Sequence, residues 1–94
     1  MIRGGWQPVG AQMNKTEFKV RFGGALRALR HTHGFSQQEL ADRSGLHRTY
    51  IADVERGARN ISLEAMTKLA HGLQVSIREF FPDQDSVATV QAAL

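Results

Sequence analysis

Polar side chains suited to recognising nucleic-acid bases are concentrated in the segment from His47 to Asn60, HRTYIADVERGARN. A guanidinium such as that of Arg48 can donate two hydrogen bonds to O6 and N7 of guanine. Thr49 offers a hydroxyl for an acceptor and a methyl group for thymine, and Asp53 can accept from N4 of cytosine or simply orient a neighbouring arginine. These residues predict contacts with base edges and not the making or breaking of covalent bonds.

A second group of residues around this segment suits contacts with a phosphate backbone. Amides, cationic side chains and free backbone N–H groups at a helix start are common partners of phosphate oxygens. An ordinary solvated surface is the alternative explanation for the same residue types. The members of the group are Gln37, Gln38, Arg43, Arg56, Arg59 and Asn60.

The sequence lacks the groupings expected of an enzyme or a metal site. It has no cysteine, which excludes disulfides and thiolate chemistry and disfavours a structural zinc site. His31 and His33 are two residues apart on a predicted helix, so they do not face each other. Serine, histidine and aspartate occur without the signature of an activated nucleophile. We therefore expect no catalytic residue, no metal and no cofactor.

Length and charge indicate one small domain with an anionic partner. The 94 residues, of which 41% are hydrophobic, can bury a modest core. Residues 1–60 hold ten Lys and Arg against five Asp and Glu, whereas residues 61–94 hold two against four. A basic front end favours a polyanion such as nucleic acid. No apolar run approaches the ~20 residues of a membrane span, and the absence of cysteine is compatible with the reducing cytoplasm.

The first predicted helix begins near Thr16. Phe18, Phe22, Leu26 and Leu29 follow one another at steps of four, four and three, which makes one apolar stripe. The Gly23–Gly24 pair weakens this helix, each glycine by about 1 kcal/mol relative to alanine, and suggests that another backbone passes close by. Gly34 is the expected end.

Two short helices joined by a tight turn follow. Ser36 and Glu39 form a capping-box pair that opens the second helix, and Gly45 supplies the positive φ that a sharp turn between helices needs. A third helix is predicted from about His47 to Arg56, with an inward face that holds it to the core and an outward face that carries Arg48 and Thr49. A rigidly held helix of this kind can enter the major groove of DNA.

Two further helices complete an all-α prediction. Ser62 is the expected cap of a fourth helix, whose apolar positions are Leu63, Met66, Leu69, Ala70 and Leu73. Ser76 and Glu79 predict another capping box and a short fifth helix. The predicted organisation is a flexible tail at residues 1–14, a five-helix domain at 15–82, and a tail or short extra helix at 83–94.

In its motifs the chain resembles the Cro/C1-type (XRE) helix-turn-helix regulators, whose fold is lambda-repressor-like. The motifs that carry the resemblance occur in order between Phe22 and Phe81: LRALR, FSQQELADRSGL, RTYIADVERG and LAHGLQVSIREFF. The segment HRTYIADVERGARNIS is also similar to the controller proteins of restriction-modification systems. The resemblance implies a sequence-specific transcriptional regulator that binds double-stranded DNA.

The resemblance also implies roles for single residues. Arg48 and Thr49 match the main base-contacting positions, and Tyr50 matches a position against the DNA backbone. Ala52 matches a further base-reading position. It is small where some relatives carry a longer side chain, so Arg48 and Asp53 are expected to carry more of the specificity. His47 stands where the family often has a capping Ser, Thr or Asp, and is expected to touch phosphate instead.

Residues outside the third helix receive roles from the same resemblance. Gln37 matches a position that contacts phosphate or helps to position the reading helix, and the loop residues Arg59 and Asn60 match phosphate contacts. Arg30 and Glu55 match an ion pair that ties the first helix to the third.

The family also implies partners for the whole molecule. A homodimer formed by the fourth and fifth helices, with Ile77, Phe80 and Phe81 at its interface, would present two reading helices to an inverted-repeat operator. RNA polymerase is an expected further partner, blocked or recruited by the regulator. A prophage-type repressor and the antitoxin of a toxin–antitoxin pair are alternatives within the class. A helical adaptor that binds protein without DNA is the alternative from another class.

Overall fold

Four α-helices and one 3₁₀ helix make up the part of the chain that the structure, a computed structural model, describes, which is residues 14–81. The bounds are Lys15–Thr32 (α1), Gln37–Ser44 (α2), Arg48–Glu55 (α3), Leu63–Leu73 (α4) and Ile77–Phe80 (the 3₁₀ helix). No strand occurs within that range. The all-α prediction is confirmed.

Side-chain caps fix where the helices begin. Asn14 and Glu17 form a capping box at the start of α1, so residue 14 belongs to the helical domain and not to the predicted tail. Ser36 and Glu39 form the predicted capping box of α2. The predicted tail at residues 1–13 and the predicted tail or short extra helix at residues 83–94 lie outside the described residues.

Glycines in the left-handed conformation end the first three helices. Gly34, Gly45 and Gly57 have φ of +75°, +76° and +75°, values that residues with a Cβ adopt only with strain. After Gly45, only Leu46 and His47 separate α2 from α3. This is the tight turn that the sequence predicts, and it makes α2 and α3 a helix-turn-helix.

A single apolar core lies between the helices. Leu26, Leu40, Ile51 and Leu69 are fully buried, one from each α-helix. Each side chain of this size contributes about 1.5–3 kcal/mol when it leaves water. The prediction that Leu63 belongs to this core is wrong, because its side chain is 72% exposed; it is the first residue of α4, where Ala65 of the same turn is buried in its place.

The predicted fifth α-helix is wrong in type, because residues 77–80 form a single 3₁₀ turn. The Ser76 hydroxyl accepts from the backbone N–H of Arg78 and not from that of Glu79, so no capping box forms. The short turn brings the ring of Phe80 to 5.0 Å from that of Phe22. Phe80 therefore closes the core from a 3₁₀ turn of four residues. A segment this short is below the length at which an α-helix is stable on its own.

Candidate nucleic-acid interface

The third helix is held to the core along one face. Ile51 and Val54 are buried, and α3 also lies against α1 at an unusually close approach. A Cβ added to Gly23 would lie 2.2 Å from the backbone oxygen of Val54 and 2.8 Å from that of Glu55. The close backbone approach suggested by the sequence is therefore confirmed at Gly23, and nothing comparable occurs at Gly24. This packing fixes α3 and leaves its opposite face towards solvent.

Arg48 and Thr49 are the first two residues of α3 and are exposed. Within residues 14–81, the Arg48 side chain makes no hydrogen bond or ion pair, so its donors are available to a partner. His47 is the cap residue of α3 and makes no side-chain capping bond, as its departure from Ser, Thr or Asp predicts. Ala52 lies one turn beyond Arg48 and is half-buried.

An open depression of about 390 Å³ lies where the N-terminal ends of α2 and α3 meet. Its walls combine amide, imidazole and guanidinium groups and are more polar than apolar, which suits a polar and anionic partner more than an apolar small molecule. The lining residues are Gln38, Gly45, Leu46, His47, Arg48 and Thr49.

A buried ion pair joins α1, α2 and α3. Arg30 donates from Nε to Glu55 Oε2 at 2.6 Å and from Nη2 to Glu55 Oε1 at 2.9 Å, which confirms the predicted pair. Arg30 Nη1 also donates to the Phe35 carbonyl at 2.9 Å, and Gln37 Nε2 donates to Glu55 Oε1 at 3.1 Å. Gln37 therefore joins the start of α2 to the last residue of α3, and both roles expected for it, contact with phosphate and positioning of a reading helix, stay predictions.

The charges of this network stabilise each other. Burial alone would raise the pKa of Glu55, but hydrogen bonds from Arg30 and Gln37 and the charges of Arg30 and Arg27 hold that pKa below its ordinary value. The hydrogen bond to Glu55 raises the pKa of Arg30 against the opposing effect of burial. Both groups stay charged at neutral pH, so the pair acts as a permanent tie.

A second charged cluster occupies the C-terminal end of α3 and the following loop. Arg56 Nη2 donates to Asp53 Oδ1, and Arg59 Nε lies 3.8 Å from Asp53 Oδ2. The Arg59 guanidinium carbon is 5.0 Å from the centre of the Tyr50 ring, a cation–π distance. The predicted backbone contacts Tyr50, Arg56 and Arg59 are thus brought together, with Asp53 among them. Asn60, the other loop residue predicted to contact phosphate, is exposed.

Arg43 is set apart from the other predicted phosphate contacts. Its Nε donates to the carbonyl of Gly72 in the last turn of α4 at 2.7 Å, and its guanidinium lies 4.4 Å from the centre of the Phe35 ring. Both contacts join α2 to neighbouring parts of its own domain. They give Arg43 a structural role within the domain, and its predicted contact with phosphate stays a prediction.

The three residues predicted for a dimer interface differ in exposure. Phe80 is 1% exposed and belongs to the core, so its ring is not available to a second chain and its assignment to the interface is wrong. Ile77 and Phe81 are half-buried at the edge of that core. Phe81 also stacks on Phe18, with ring centres 6.1 Å apart.

Two features of this surface escape sequence reasoning. Gln38 Nε2 donates to Asp42 Oδ1 at 2.9 Å, so one predicted phosphate ligand is held by a carboxylate four residues on. Arg27 is exposed, and its charge reaches Glu55 at the end of α3. The spacing of Arg27 from Arg30 on one helix is the only sequence signal for it, because the proximity to α3 comes from the packing at Gly23.

Comparisons with known proteins agree with this geometry. The helix-turn-helix family profile matches residues 26–80. Control protein C.SmaI of Serratia marcescens is 42% identical over 59 residues, which span 63% of this chain and 70% of that protein. The crystal structure of the restriction-modification controller protein C.AhdI from Aeromonas hydrophila superposes with a TM-score of 0.67 at 50% identity, over 68% of this chain and 97% of that one.

A further controller protein, C.Esp1396I, superposes with a TM-score of 0.64 at 33% identity, over 68% of this chain and 84% of that one. Structures similar to this chain also include variants of C.Esp1396I in which an arginine, a threonine or a tyrosine at three successive positions is replaced by alanine. None of the helices within residues 14–81 is long and apolar enough to cross a membrane. The chain belongs to the helix-turn-helix family of DNA-binding transcriptional regulators, a family of regulators and not of enzymes, and has restriction-modification control proteins among its homologues.

Proposed function

We propose that this protein controls a restriction-modification system by binding, as a homodimer, to an inverted-repeat operator near its own gene. The similarity to C.SmaI and C.AhdI supports this class of regulator, because the matched region covers 70% of C.SmaI and 97% of C.AhdI. The protein acts in the cytoplasm, where it blocks RNA polymerase or helps to recruit it.

The exposed first turn of α3 is the observation that carries the proposal. Arg48 and Thr49 point away from a face that is fixed by Ile51 and Val54, and a rigid helix with free donors at its N-terminal end can read the major groove. The chain contains one Arg-Thr-Tyr triplet, Arg48 to Tyr50, and the residue types replaced in C.Esp1396I match it in order. We assign base reading to Arg48 and Thr49.

The remaining contacts divide by geometry. Gln38 and His47 flank the depression beside Arg48 and are proposed to bind phosphate at the N-terminal side of α3. Tyr50, Arg56, Arg59 and Asn60 are proposed to bind phosphate at its C-terminal side.

One chain presents one reading helix, so an inverted repeat calls for two chains. Two-fold symmetry would place the two helices about 34 Å apart, one turn of DNA. Ile77 and Phe81 are half-buried apolar side chains at the edge of the core and are proposed to pack against their symmetry mates, with the core ring of Phe80 supporting them from behind.

A footprint on the DNA directly upstream of the gene tests the operator. Wild type is compared with Arg48→Ala, Arg59→Ala and, as a control for the loss of one exposed cation, Lys68→Ala on α4. We expect a protected inverted repeat whose specificity is relaxed by Arg48→Ala and whose affinity is lowered uniformly by Arg59→Ala. Sedimentation that gives only monomer at micromolar concentration, with and without that DNA, would contradict the dimer.

A further inference from the structure

The carboxylate of Asp53 is already engaged on both of its oxygens. Oδ1 accepts from Arg56 Nη2, and Oδ2 lies 3.8 Å from Arg59 Nε. The Asp53 side chain is 23% exposed, whereas those of Arg56 and Arg59 are 66% and 51% exposed. The acid therefore lies beneath two arginines that face solvent. A carboxylate that reads N4 of cytosine needs a free oxygen at the surface, whereas Oδ1 of Asp53 is hydrogen-bonded to Arg56 and the side chain is only 23% exposed.

We propose that Asp53 is a positioning residue that sets the balance between specific and non-specific DNA binding. It holds Arg56 and Arg59 side by side, with Arg59 over the Tyr50 ring, so that both guanidiniums meet the same stretch of sugar-phosphate backbone. This inference rests on the proposed function, since it assigns a role within the same DNA-binding surface.

Two physical effects of the carboxylate lead to this role. Its negative charge offsets one of the two arginines, so the cluster attracts any DNA less strongly than two free cations would. Its ion pairs also restrict both side chains before DNA arrives, which reduces the ordering cost of a correctly registered contact. Asp53 thus weakens binding to unrelated sequences and preserves binding at the operator.

Arg56 and Arg59 lie far from the residues proposed to read bases. Arg48 and Arg56 are eight residues apart, which is about 12 Å along a helix. The two arginines that Asp53 holds therefore lie just beyond Glu55, at the opposite end of α3 from Arg48 and Thr49. A change at Asp53 should alter how strongly the backbone is held and leave unchanged which bases are preferred.

The test uses a duplex selected by the wild-type protein from a random pool and a scrambled duplex of the same composition. Affinity is measured against salt for wild type, Asp53→Asn, the Arg56→Gln/Arg59→Gln double variant and the triple variant that combines them. Glu64→Gln, an exposed acid that contacts Lys68 on α4, controls for the change in net charge. Thermal unfolding checks that each variant folds.

We expect Asp53→Asn to bind the scrambled duplex about threefold more tightly, in line with the energies of exposed ion pairs. The salt dependence should steepen towards one further phosphate contact, a slope change of about 0.9. Affinity for the selected duplex should rise less, so discrimination falls. In the Arg56→Gln/Arg59→Gln background the same substitution should have no effect, because it acts through the arginines.

Different results overturn different claims. Loss of preference at one base pair per half-site, with unchanged affinity for the scrambled duplex, would mean that Asp53 reads a base. Persistence of the Asp53→Asn effect without the two arginines would mean that the carboxylate repels DNA directly. Both results refute the inference and leave the regulator intact, whereas failure of the wild type to select any duplex refutes the proposed function and the inference with it.

Discussion

Adjacent glycines in α1 should respond in opposite directions to the same substitution. Gly23 and Gly24 are both helical, but a Cβ at residue 23 would lie 2.2 Å from the backbone oxygen of Val54, and a Cβ at residue 24 would meet nothing within 4 Å. Because the obstructing atom belongs to the backbone of α3, no rotamer change can relieve the contact. The two helices would have to separate by about 1 Å to restore an ordinary contact distance.

The expected free energies follow from this difference. Gly24→Ala should raise the free energy of unfolding by about 0.5–1 kcal/mol, because alanine loses less conformational entropy in a helix. Gly23→Ala gains the same helix propensity but overpacks the junction of α1 and α3, which costs about 1–3 kcal/mol or more when the backbone must move. In a domain of this size, each kcal/mol shifts the melting temperature by roughly 4–8 °C.

Urea and thermal unfolding followed by circular dichroism measure both variants against wild type. Gly24→Ala should unfold at a higher urea concentration and bind DNA as wild type does. Gly23→Ala should unfold at a lower concentration and bind more weakly, since α3 is displaced. A Gly23→Ala protein as stable as Gly24→Ala would refute the close approach of the two helices.

Three further predictions concern the ion pair, the caps and Arg43. Because the pKa of Glu55 is held below its ordinary value of 4.5, its contribution to stability is complete above that pH and is lost as pH falls through the lower folded-state pKa. Glu55→Gln should cost about 3 kcal/mol at neutral pH by leaving Arg30 buried and unpaired, and the difference from wild type should shrink in acid unfolding titrations; a constant difference would contradict it. Ser36→Ala should cost about 1 kcal/mol in urea unfolding, whereas His47→Ala, which removes no capping bond, should cost almost nothing; equal losses would refute the cap assignment. Arg43→Ala should cost about 1 kcal/mol of stability and leave the salt dependence of DNA binding unchanged, and a reduced slope would restore its predicted phosphate contact.

Features set by neighbours in the sequence are the ones that could be predicted from it. The capping box of Ser36 and Glu39 depends on a spacing of three residues, and the turn at Gly45 depends on one residue that tolerates positive φ. The inward faces of α2 and α3 follow from helical periodicity. The sequence therefore predicts the helix-turn-helix and the exposed position of Arg48 directly.

Features set by packing between distant segments are harder to predict from the sequence. Only the family resemblance predicts the pair of Arg30 and Glu55, because its members are 25 positions apart in the sequence. The role of Arg43 depends on where the last turn of α4 comes to lie. The 3₁₀ turn depends on how far Phe80 must reach to fill the core. Periodicity cannot supply these distances.

The central claim is that Arg48 reads bases while Arg59 holds the backbone. Selection from a random pool of duplexes, performed in parallel with wild type, Arg48→Ala and Arg59→Ala, tests it most directly. The account predicts that Arg48→Ala loses about 1–3 kcal/mol of preference at one guanine per half-site. Arg59→Ala should select the same sequence as wild type with uniformly lower affinity and a salt slope reduced by about 0.9. An unchanged sequence preference in Arg48→Ala would contradict the account.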